Sequence, residues 1–187
     1  MKKLGQFEVT GDKLMVTDPC YRRGTWCQGI IDNVLQGMWS GFVKYEDNDE
    51  GGAVSEVLAQ HPSYTPGDGR WVSATFEVGV DSGQAGIFDE ARYPVGEIGS
   101  ITNRNSFYGS ACEATSHPEK GGTIKEGVVS CSGYGDGGYG DGGYVCEFHV
   151  NKAGKVDAVC VDFLGGDLGP FYDDDYDDDL DLEDEEV

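Results

Sequence analysis

Basic residues are scarce in this chain. Thirteen Lys and Arg stand against 35 Asp and Glu, for a formal net charge of −22. Binding to nucleic acid through phosphate neutralisation is disfavoured by that balance, and so is an anionic membrane surface. Long apolar runs are also missing, so no membrane span is expected. The opening MKKLGQFEVTGDKL has two lysines with no apolar run behind them, which does not read as a signal peptide. None of the six cysteines falls in a CxxC pair, and no clustered Cys/His spacing of a zinc site is present. Reduced thiols and a cytoplasmic setting are the expectation; an even cysteine count leaves a secreted disulfide protein formally open. The three histidines, His61, His117 and His149, are scattered, and no nucleophile-elbow sequence supports a Ser-His-Asp triad.

What the chain does have is apolar alternation, with 30 glycines. Val72, Ala74, Phe76, Val78 and Val80 alternate with small or polar residues, as do Tyr144, Cys146, Phe148 and Val150. Trp39, Val43 and Tyr45 mark a further strand. GKVDAVCVDFL, 154–164, reads as one buried on both faces, with KLMVTD and AVSEVLAQH as weaker strands. NKAGK reads as a hairpin turn with Gly154 at positive φ. Helical periodicity is poor everywhere, and 101–114 holds one short helix at most. The predicted fold is all-β, an antiparallel sandwich or partly open barrel, as one domain over residues 1–171. The last sixteen residues, YDDDYDDDLDLEDEEV, carry 11 acids and no base, which leaves 24 acids against 13 bases and a net −11 in the body. A block of like charge buries little, so 172–187 is expected to be a disordered acidic tail.

Three loops could carry chemistry. In SGYGDGGYGDGGY, 132–144, the glycines (Gly135 among them) allow close backbone approach, and Asp136 and Asp141 supply hard oxygen ligands suited to calcium or magnesium. The competing reading is a wide hairpin loop whose tyrosines fold onto the sheet. In VTDPCY, Asp18 precedes Pro19 and projects from an extended backbone, followed by Cys20 and Tyr21. Asp18 could equally bond the amides of its own turn, and Cys20 reads more simply as an inert thiol than as a nucleophile. In VDSGQAGIFDE, Asp81 and Asp89 bracket a small-residue turn containing Gly83. They could share a cation with Asp136 or act as acid and base. The alternative is a self-satisfied hairpin.

Together, VTDPCY, VDSGQAGIFD and SGYGDGGYGDGGYVCEF, followed by NKAGKVDAVCVDF, resemble a domain family of unknown function found in bacterial and phage proteins. The resemblance spans roughly residues 13–165. It implies family positions at Asp18, Cys20, Tyr21, Asp81, Gly83, Phe88, Asp89, Gly133, Gly135, Asp136 and Gly138, with a second YGDGG that the family pattern lacks. No activity comes with it. The expected function is a non-enzymatic binding protein for a small ligand or a host protein. The alternatives are a metal-dependent hydrolase using clustered aspartates and an acidic phage inhibitor that engages a basic host protein or mimics nucleic acid.

Overall fold

A computed structural model describes residues 1–46, 52–133 and 140–164. The predicted tail 172–187, and Gly135, Asp136 and Gly138, lie outside the described residues. Eleven strands form two sheets, and every strand pair is antiparallel. The first sheet has the order β1 (Lys2–Val9), β4 (Gly37–Tyr45), β5 (Val54–Gln60), β11 (Val156–Asp162), β10 (Gly142–Asn151), β6 (Gly69–Val80). The second has the order β3 (Gly29–Asp32), β2 (Lys13–Thr17), β7 (Gln84–Asp89), β9 (Gly127–Cys131), β8 (Gly121–Ile124). Both sheets are open, which selects the sandwich over the barrel. No helix is long and apolar enough to cross a membrane among the described residues.

The layers follow from side-chain parity. Leu14, Val16, Ile87 and Val128 of the second sheet meet Trp39, Val43, Val57 and Val159 of the first in the main core. The intervening residues Met15, Phe88 and Val129 point the other way, into a second cluster with Tyr93, Phe107 and Ala111. That cluster is roofed by α1 (Phe107–Thr115), the α-helix among the described residues, whose N-cap Ser106 accepts a hydrogen bond from the Gly109 amide. The helix overlaps the 101–114 stretch where the sequence allows a short one, and runs one residue past it. Because α1 covers the outer face, β2, β7 and β9 are apolar on both faces and show no alternation.

The NKAGK turn behaves as its sequence dictates. Gly154 has φ +77°, and the Asn151 side chain accepts from the Ala153 and Lys155 amides. The other two glycine-rich connections differ from expectation. The hairpin, the alternative for each in the sequence, is not formed: β6 and β7 lie in different sheets, as do β9 and β10. The 81–83 turn and the 132–141 loop are therefore crossings from one layer to the other. Antiparallel register puts them together: Thr17 at the end of β2 pairs with Gly86 near the start of β7, Gln84 with Cys131 at the end of β9, and Val80 with Gly142 at the start of β10. One rim of the sandwich thus holds all three loop motifs.

Candidate functional site

Asp18 is the organising side chain of this rim. It is fully buried. Its Oδ1 accepts from the Cys20 amide (2.7 Å) and the Ser82 hydroxyl (2.7 Å), and its Oδ2 accepts from the amides of Asp81 (2.8 Å) and Ser82 (2.7 Å). Four donors occupy both oxygens, so this carboxylate holds the VTDPCY segment to the DSG turn. The glycine-rich loop is tied to the same turn. Gly83, at φ +67°, donates its amide to Asp141 Oδ1 (3.2 Å). Its carbonyl accepts from the Ser132 amide (3.0 Å), and the Ser132 hydroxyl donates to the Gly140 carbonyl (2.5 Å). Asp18, Cys20, Tyr21, Asp81, Gly83 and Asp141 are thereby brought to one place.

Asp89 is not. It sits at the far end of β7, paired with Leu14 at the start of β2. Six residues of strand, roughly 17 Å, separate that end from Gln84. There the buried carboxylate accepts from the amides of Thr10 (2.9 Å) and Ala91 (3.3 Å) and the hydroxyl of Thr10 (2.5 Å). The expectation that Asp81 and Asp89 share a cation, or act as acid and base on one substrate, is corrected: strand length places them on opposite rims. Asp136, the third proposed ligand, lies outside the described residues. Among the described residues no group of three or more His, Cys, Asp or Glu side chains is arranged to hold a metal ion.

The thiol and phenol of the DPCY motif are chemically quiet. Burial, reinforced by the charge of Asp18, pushes Cys20 up to about 12, so it is a thiol at neutral pH. Desolvation, then the contact with Asp81, raises Tyr21. All six cysteines are free. His149 is buried on Asp157 (2.6 Å) among the rings of Tyr64 and Trp71, a packing role inside the first sheet.

Beside the three-loop junction opens a cleft of about 540 Å³. Its lining includes the aromatic rings of Tyr21 and Trp26, the carboxylates of Glu77 and Asp81, and Gly79 and Gly143. Gly79 is packed closely, while the neighbour of Gly143 is the mobile end of a side chain. A Cβ on Gly79 would lie 2.7 Å from Cys27 Cβ, and one on Gly143 would lie 2.9 Å from Glu77 Oε2. Gly79→Ala is expected to push the Cys27 segment outward and cost roughly 2 kcal/mol, the scale of overpacking. A thermal melt, with the Trp26 indole N–H resonance as the local reporter, measures both effects. Trp26 is 93% exposed. Its segment is nevertheless held: Arg23 pairs with Glu90 and donates to the Tyr93 carbonyl (2.9 Å), and Gln28 Oε1 accepts from the Gly24 (2.7 Å) and Thr25 (3.1 Å) amides.

The sequence reading passed over Trp26, Glu77, Gly79 and Gly143. A tryptophan in the polar stretch RRGTWCQG, outside any alternation, was the available sign of an aromatic turned to water. A second cleft, about 450 Å³, is lined by Lys2, Lys3, Arg104, Glu113 and His117, but Arg104 there is spent on Glu113 (2.7 Å). No family model, no curated protein and no solved structure matches this chain.

Proposed function

We propose that the protein is a non-enzymatic binding protein whose ligand lies in the cleft between the Tyr21–Cys27 segment and the end of β6. The observation that carries this reading is Trp26, a large aromatic left 93% exposed on a segment that is itself fixed in place, beside an open cleft. An indole presented this way offers a flat apolar face at little ordering cost. The buried carboxylates of the rim favour binding over catalysis, because Asp18 is saturated by donors and so has no lone pair left for a reacting group. The six free thiols fit a reducing compartment such as the cytoplasm, and the motif resemblance suggests a bacterial or phage source.

Chemical-shift mapping on the ¹⁵N-labelled protein tests the site. A set of small fragments, including neutral disaccharides, aromatic amides and amino-acid amides, is titrated one at a time. At least one is expected to move the Trp26 indole and the Gly79, Gly142 and Gly143 amides together. If every fragment that binds shifts residues elsewhere, the cleft is not the binding site.

A further inference from the structure

We infer that this cleft receives the guanidinium group of an arginine on a basic polypeptide partner, an assignment that rests on the cleft being a binding site. The first ground is an unbalanced pair of carboxylates. Elsewhere among the described residues, eight carboxylates, Glu8, Glu56 and Glu113 among them, are paired with Lys or Arg. Glu77 and Asp81 lie in the cleft wall, and no Lys or Arg pairs with either among those residues. The two arginines closest in sequence to Trp26 are drawn off to the segment after β7, Arg22 to Glu97 (2.8 Å) and Arg23 to Glu90. The chain's own cations therefore leave the cleft open to one from outside.

The second ground is shape. A guanidinium is planar, always charged and weakly hydrated, so it stacks on an indole face while its edge meets a carboxylate with two parallel hydrogen bonds. The cleft lining supplies both surfaces: the Trp26 indole, and the carboxylates of Glu77 and Asp81. Tyr21 contacts Asp81 and so orients that carboxylate. Gly79, Gly142 and Gly143 carry no side chains to fill the cleft. The third ground is the long-range field. A net charge of −22 draws a basic polypeptide in and discourages an acidic one.

The test uses the full chain uniformly labelled with ¹⁵N, so that tryptophan indoles and backbone amides both report, titrated with a capped glycine-flanked arginine peptide. The matched citrulline peptide keeps the shape and loses the charge; spermidine supplies cations without a planar group. The arginine peptide is expected to move the Trp26 indole resonance, leave buried Trp39 unmoved, and weaken as salt is raised. Citrulline in place of arginine, Trp26→Ala, and Glu77→Gln with Asp81→Asn are each expected to weaken binding about tenfold or more. An unchanged Trp39 resonance shows that the variants are folded. Equal binding of the citrulline peptide, tighter binding of spermidine, or shifts confined to the amides of 172–187 would each overturn the assignment. Fragment binding at Trp26 without arginine binding would overturn it too, while leaving the binding reading intact.

Discussion

Replacing Asp18 with alanine is expected to destabilise the protein by about 4 kcal/mol, the upper range for a single substitution. The change removes the acceptor of four hydrogen bonds, three of them from backbone amides. Those amides all face the fully buried Asp18 site, and a donor left there without an acceptor costs about 1–3 kcal/mol. Asn in place of Asp is expected to cost about 3 kcal/mol, because its NH₂ would face two donors that need an acceptor. Asp141→Asn provides the contrast. That residue is exposed and accepts one 3.2 Å hydrogen bond, so its replacement should cost no more than about 0.5 kcal/mol. Urea unfolding of the three variants measures the difference. Near-equal midpoints for Asp18→Ala and Asp141→Asn would show that the rim is not held by Asp18.

Alkali is the second large lever. Burial raises Cys146 and Cys160 well above the ordinary thiol value of 9.0, with Glu147 adding to the first and Glu56 to the second. A thiol whose folded value exceeds its unfolded one keeps its proton longer in the native state. Its contribution is therefore fully present below about pH 9 and is lost as pH rises toward the folded value. Each thiol's loss approaches about 1.4 kcal/mol per pH unit above its unfolded value, so the pair loses about 2 kcal/mol between roughly pH 9 and 10. Cys20 acts in the same direction from its half-buried position. Buried Tyr93, raised chiefly by desolvation, joins in above its own ordinary value of 10.0. The melting temperature should be level from neutral pH to about 8.5 and then fall steeply. Cys146→Ala with Cys160→Ala lowers the whole curve by leaving cavities, yet it should flatten the alkaline limb. Equal slopes in parent and variant would sink this account.

How far these features were legible depended on what lies over each strand. β4, β6 and β10 each press one face into the core and leave part of the other wet, so Trp39, Val43, Val78 and Tyr144 announced themselves by alternation. β9, with Val128 turned to the main core and Val129 to the helix side, has no such contrast and passed unread. β3 and β8, four residues each, are too short to show a period. β1 was hidden by two lysines and a glycine ahead of Phe7 and Val9. Asp18 and the 81–83 turn were each legible as loop residues at strand ends, but not as partners of one another. Asp89 misled because a sequence does not say which end of a sheet a turn occupies. The crossing connections were also out of reach, since pairing partners are set by packing between distant segments rather than by the turn between neighbours.

The two sheets are sewn together at the rim beside Trp26, where the chain passes from one layer to the other twice. A guest seated there would lean on the first sheet through Glu77 and Gly143 and on the loop of the second through Tyr21 and Trp26. Occupancy would then resist separation of the layers, and the bound protein should withstand proteolysis and mechanical pulling better than the empty one, even with no strand displaced.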